Sequence, residues 1–196
     1  MPKTLNHYHQ TCKAVKEYRQ LTTVTRKEEN NMKKIALVTF SDSATTYEAF
    51  SQMKNINNSN TLYIKQAAVI EKNKVGTDIT IKDSVDYVSG NRVVKGSLIG
   101  MLVGILAGPL GVLCGWIVGD IAGMSTNYLK NKKTITVFDK IAGELKGNQV
   151  GLLIYIDETD ETLLNTMIVE KYNGSIERFD YEEVQEDIKT AQNHLD

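Results

Sequence analysis

Four sets of residues in this sequence have types and spacings that could do chemistry. His7, His9 and Cys12 lie close enough together to ligate a metal ion. A zinc site, however, wants a fourth ligand and packed groups that orient the first three. The tail around them supplies neither, so they read as part of a solvated segment. Asp42 and Asp157 each come just after a run of β-forming residues and could hold a cation. A carboxylate at such a place more commonly accepts the free N–H groups of the next helix, and capping is the expected role. Arg92, Lys95, Lys130, Lys132 and Lys133 bracket an apolar block. They could meet anionic lipid headgroups, at about 1 kcal/mol each, or simply solvate a loop. Cys114, between Leu113 and Trp116, reads as an inert core thiol.

Other chemistry is missing from the pattern. No Gly-x-Gly-x-x-Gly stands between a strand and a helix, and there is no phosphate-binding Gly-Lys-Ser/Thr. No Gly-x-Ser-x-Gly elbow occurs. Between Met32 and Asn193 there is no histidine, which excludes a Ser-His-Asp or Cys-His device there. No catalytic residue, cofactor or metal is therefore expected.

The strongest pattern is a stripe of glycines. Gly96 to Gly119 is a run of 24 residues without a charge. Glycines fall at Gly96, Gly100, Gly104 and Gly108, then at Gly111, Gly115, Gly119 and Gly123. Residues four apart share one helix face. Each glycine costs about 1 kcal/mol against alanine inside a helix. The offsetting gain is close approach between helix backbones, as in small-xxx-small packing. The opposite faces carry Leu98, Ile99, Leu102, Val103, Leu106, Leu113, Trp116, Ile117 and Val118. That much apolar surface suits lipid or a partner rather than water.

Pro109, in Gly108-Pro109-Leu110-Gly111, marks a turn at the midpoint of the run. A single 24-residue helix would reach about 36 Å and could cross a bilayer. It would also leave the flanking segments on opposite sides of the membrane. A hairpin of two arms, near Val93–Ala107 and Gly111–Tyr128, keeps them together. Each arm is about 22–27 Å long, somewhat short of a hydrocarbon core of roughly 30 Å. The basic residues at the base of the hairpin place that base on the cytoplasmic side. The alternative is a hairpin buried in a soluble assembly.

Two similar units flank the hairpin. Ile35–Phe40 reads as a buried strand, followed by cap oxygens at Ser41, Asp42 and Ser43 and a possible Thr45-x-x-Glu48 capping box. Tyr47, Phe50, Met53 and Ile56 carry a helix up to the break at Asn57–Asn60. Leu62–Glu71 is a second strand, and Val75–Val88 is extended with alternation at Ile79 and Ile81. Downstream, Gly151–Ile156 is a strand, with cap oxygens expected from Asp157, Glu158 and Asp160. Leu163, Leu164, Met167 and Ile168 make a helix that stops at Asn173-Gly174. Ser175–Tyr181 closes the sheet, and Glu182–Leu195 is a terminal helix. The fold class is α+β: a ferredoxin-like split βαβ sandwich with an inserted apolar glycine-zipper α-hairpin. Both crossovers should be right-handed, which puts both helices on one face.

The divisions are 1–31, a disordered leader or mis-assigned start; 32–91, the first βαβ half with its β extension; 92–130, the hairpin; and 131–196, the second half and terminal helix. The leader holds six Lys/Arg and three Glu and has no apolar core of the kind a signal peptide carries. A chain beginning at Met32 is expected to keep its fold. The length of 196 residues suits one domain with an insertion and a tail, and 41% hydrophobic against 24% charged residues excludes a disordered chain. A net charge of −1 argues against a nucleic-acid binder working through bulk positive charge. Two cysteines exclude a disulfide scaffold. A mean hydropathy of −0.27 excludes a multi-span membrane protein.

The order of strand, helix and strand, then a glycine zipper with a central Gly108-Pro109-Leu110-Gly111, then strand, helix and strand resembles a bacterial domain-of-unknown-function family of "predicted membrane proteins". Heat- and general-stress-induced glycine-zipper proteins are similar in pattern. Ile35–Phe40, Gly96 to Gly111, Gly115, Gly119 and Gly151–Asp157 carry the resemblance, over about Met32–Ala191. This chain differs in its tail before Met32 and in having fewer alanines between its glycines. The resemblance implies a membrane-associated or stress-linked role and no established activity. The expected protein is therefore a structural one on the cytoplasmic face of a membrane. It would be anchored and oligomerised through the hairpin, with the lipid bilayer or its own copies as partner. The alternative is a cytoplasmic homo-oligomeric scaffold. A small-molecule-binding domain is a third reading, which the residue inventory disfavours.

Overall fold

Lys33–Thr39 is apolar on both sides, Ile35 and Leu37 facing one way and Ala36 and Val38 the other. Such a run suits a strand covered on both faces. It forms β1 (Lys33–Thr39) in the computed structural model, which describes residues 32–57, 59–74, 78–93, 96–107 and 136–193. The chain divides into two units at Met32–Lys33, and every element below belongs to the second, Lys33–Asp196.

The elements are β1, α1 (Ser43–Ile56), β2 (Leu62–Lys72), β3 (Ile79–Asp86), α2 (Leu98–Ala107), α3 (Val137–Glu144), β4 (Val150–Glu158), α4 (Thr162–Asn165), β5 (Ser175–Asp180) and α5 (Tyr181–Gln192). A π-helical turn, Thr166–Lys171, prolongs α4. The described residues thus form a mixed α/β structure of five helices and a five-stranded antiparallel sheet, ordered β3-β2-β4-β1-β5. Strands β1 and β2 both run antiparallel to β4, which lies between them, so they are parallel to each other. By the same relation, β4 and β5 are parallel with β1 between them.

Each face of the sheet has its own core. On one, Ala49 and Met53 of α1 and Leu164, Met167 and Ile168 of α4 pack on Ala36, Val38, Ile64, Val69, Leu152 and Ile154. On the other, α2, α3 and α5 cover Ile35, Leu37, Ala68, Ile70, Leu153 and Phe179. The two crossover helices share one face, as the handedness rule requires.

Several local expectations need correction. The start of α1 is capped by Asp42, whose carboxylate accepts the Thr45 N–H and hydroxyl, each at 2.8 Å. Thr45 lies within the helix, so Thr45-x-x-Glu48 is not its capping box. Asp157 and Glu158 belong to β4 rather than to a cap. Asp157 pairs with Lys65 at 2.8 Å, and Glu158 is bound by Arg178. Asp160 alone of the three serves the next helix, accepting the Thr162 N–H at 2.9 Å. Tyr181 opens α5 instead of ending β5. Helix α3 was not foreseen, although Thr136-x-x-Asp139 forms a full capping box at its start.

Candidate functional site

The one expected feature that involves many residues at regular spacing is the glycine stripe, of which α2 carries Gly100 and Gly104; the helix begins at Leu98 rather than near Val93, so Gly96 precedes it. Ten residues make this helix about 15 Å long. Its start is held by polar groups from three places. The Ser97 hydroxyl accepts the Gly100 N–H at 3.1 Å. The Gln66 side chain of β2, almost buried, accepts the Ile99 N–H at 3.3 Å and donates to Asp86 Oδ2 at 3.1 Å. Asp86 Oδ1 in turn accepts the Val88 and Ser89 N–H groups at 2.9 and 3.1 Å, forming the turn after β3. Gln66 and Asp86 are not legible along the chain, because a polar pair inside a strand pattern reads as solvent-facing.

The two faces of α2 have opposite fates. Leu98, Ile99, Leu102, Val103, Ile105 and Leu106 are all buried. They pack with Ala68, Ile70, Ile79, Leu153 and Phe138 in the core beneath α2, α3 and α5. This corrects the expectation that Leu98, Ile99, Leu102, Val103 and Leu106 face lipid or a partner. The glycine side points outward. Gly96 and Gly104 are exposed, Gly100 is half-buried and Ala107 is exposed. A Cβ added to Gly96 or Gly104 would meet no described atom within 4 Å. The outer side of α2 therefore presents bare backbone at Gly104, as the chain does at Gly96 just before the helix, and Met101 is half-buried.

Arg92 is exposed. Gly108, Pro109, Gly111, Gly115, Gly119 and Gly123 lie outside the described residues, as do Lys95, Lys130, Lys132 and Lys133. His7, His9, Cys12 and Cys114 lie outside them too. Among the described residues no helix is long and apolar enough to cross a membrane. No group of three or more His, Cys, Asp or Glu among them could hold a metal ion.

A polar cleft of about 310 Å³ lies where β1 enters α1 and is lined by Phe40, Ser41, Asp42, Lys146, Asn148 and Gln149 among others. Its groups serve one another. The hydrogen bonds from Thr45 hold the Asp42 carboxyl below its usual range. Gln149 donates to Phe40 O at 3.2 Å and accepts the Lys146 N–H at 2.9 Å. Tyr155 is a second titratable group away from the glycine strip. It is stacked on Tyr181 with centroids 5.6 Å apart and lies under the Lys65 ammonium at 5.0 Å. Burial, and then the neighbouring Tyr181, push its hydroxyl up to about 12. Neither place assembles a nucleophile with a base.

Set against protein-family models, curated proteins and solved structures, the chain matches none of them.

Proposed function

We propose that this chain is a non-enzymatic structural protein that self-associates through a glycine-zipper hairpin. The hairpin is inserted into a ferredoxin-like split βαβ sheet. The strand order β2-β4-β1-β5, with β3 added at the edge, supports that description of the sheet. The observation that carries the reading is the orientation of α2, with its bulky face sealed in the core and its glycine face turned outward. The segment 111–128 repeats the four-residue glycine spacing and follows α2 after a Gly-Pro turn sequence. Its stripe suits the bare side of α2, where two backbones can approach closely. Leu113, Trp116, Ile117 and Val118 then remain on the other side of that arm as the surface for a neighbouring copy.

Membrane association is the second reading. It rests on the uncharged run through Gly119 and on the lysines at 130, 132 and 133. Placing both arms in lipid would strip α2 from the sheet and expose Ile70, Ile79 and Leu153. That cost favours self-association.

Light scattering on the full chain, with and without Gly104→Leu and Gly115→Leu, tests the proposal. The parent should be a detergent-free oligomer. The two substitutions should move it toward monomer, since overpacking costs about 1–3 kcal/mol per site. Co-flotation with phosphatidylglycerol vesicles that survives a carbonate wash would replace this reading with the membrane one.

A further inference from the structure

The stop of the π-helical turn after α4 places Asn173 directly before Gly174, and packing demands both residues. Asn173 takes the left-handed conformation, φ 50°, which asparagine tolerates better than most residues. Gly174 lies against the Phe40 ring, and a Cβ there would sit 2.6 Å from Cε1 and 3.1 Å from Ile168 Cγ2. Asn-Gly is also the dipeptide with the least steric hindrance to intramolecular attack by the backbone on the amide. Here the attacking atom is held, because the Gly174 N–H donates to Ile168 O at 2.9 Å. Phe40 is pinned in turn by Tyr172, edge-on at 6.3 Å, whose hydroxyl donates to Glu48 at 3.0 Å.

We propose that Asn173 is a conformation-gated site of spontaneous deamidation, closed in the native fold and opened when the π-helical turn after α4 frays. In the open state Gly174 N loses its proton and forms a bond to Asn173 Cγ. The Cγ–Nδ2 bond breaks, and ammonia leaves with that proton. Water then opens the succinimide at either carbonyl, giving aspartate or isoaspartate. The iso form adds a methylene to the main chain immediately before β5, which begins at Ser175 opposite Thr39. Gly174 has no room to absorb the shift against Phe40, so the modification would also hold the stop open and loosen the edge strand.

The test is incubation of the full chain at mildly alkaline pH, native and in urea, followed by mass spectrometry of the tryptic peptide Tyr172–Arg178. Native protein should gain the one-dalton increment at least about tenfold more slowly than unfolded protein, the ratio set by the local opening equilibrium. Tyr172→Ala, which removes the prop on Phe40, should narrow that ratio severalfold while the chain remains folded by circular dichroism. Equal native and unfolded rates in the parent would overturn the proposal outright. So would a ratio unmoved in folded Tyr172→Ala when hydrogen exchange shows that the Gly174 amide has been exposed.

Discussion

Arg178 of β5 reaches across β1 to grip Glu158 of β4, its Nε donating to Oε2 at 2.6 Å and its Nη2 to Oε1 at 3.0 Å. In the register of the sheet Arg178 is paired with Ala36 of β1, which in turn faces Ile154 of β4, four residues before Glu158. The side chains are only 12% and 2% exposed. Removing Arg178 therefore leaves the Glu158 charge unpaired away from water. Arg178→Ala should cost about 3–5 kcal/mol in urea unfolding. The double replacement by methionine should recover most of that loss. A loss below about 1 kcal/mol for Arg178→Ala would place the pair with ordinary surface bridges.

Leu106 separates an inward α2 from a lipid-facing one. It is fully buried in the core beneath α2, α3 and α5. Leu106→Ala should therefore destabilise the domain by about 2–5 kcal/mol, as core truncations do. A thermal midpoint unchanged from the parent would show that this face does not pack on the sheet in solution.

Two glycines should respond to alanine with opposite signs. At Gly151, within β4, a Cβ would lie 2.9 Å from Val38 O and 3.1 Å from Leu145 Cδ2. Gly151→Ala should cost about 1–3 kcal/mol through overpacking. At Gly143, within α3, a Cβ meets no described atom within 4 Å. Gly143→Ala should raise stability by up to about 1 kcal/mol through helix propensity. Thermal unfolding of the two variants side by side reads both signs.

Lys72, at the end of β2, closes the far end of α3. Its ammonium donates to Ala142 O at 2.6 Å and Leu145 O at 2.9 Å, satisfying carbonyls that the helix cannot. Lys72→Met keeps the stem and removes the donor. It should cost about 1–3 kcal/mol, the usual loss when charged hydrogen bonds are removed. Amide exchange should rise within Val137–Glu144 before it rises in the sheet.

Asp187 of α5 holds the other end of α3, accepting the Val137 N–H at 2.7 Å. Burial, then Glu183, Asp139 and Glu186, raise its pKa against the opposing effect of that hydrogen bond. The folded state consequently binds this proton more tightly than the unfolded one. Stability is lost as pH rises from the ordinary 3.8 through the raised folded value, and it is retained below that window. Glu177, raised by burial and by Glu144, acts in the same direction. Asp187→Asn keeps an acceptor for Val137 without the charge. It should melt higher than the parent at pH 7, and the advantage should vanish below the window. A lower melting point at pH 7 would mean that the charged bond to Val137 outweighs the burial.

Much of the fold was legible because it is local. Double-sided apolar runs announced β1 and β4, polar breaks bounded α1, and Asn173-Gly174 announced the stop after α4. The glycine spacing likewise defined a two-faced α2. Periodicity could not say which of those faces is inside, since one is bulky and apolar and the other is bare, and either can pack. Only the sheet decided it, by offering Ala68, Ile70, Ile79 and Leu153 as a surface that the bulky side covers. Helix α3 was hidden for a related reason. Eight residues are too few to hold a helix by propensity alone, and its ends are closed by Lys72 and Asp187, on either side of it in sequence. Asp157 and Glu158 looked like caps because they follow an apolar run. They are strand residues because Lys65 and Arg178 arrive from other strands to neutralise them. Period, caps and stops are properties of neighbouring residues and can be read along the chain. The choice of buried face, and the pairing that lets a charge stay in a strand, depend on surfaces that exist only after distant segments have met.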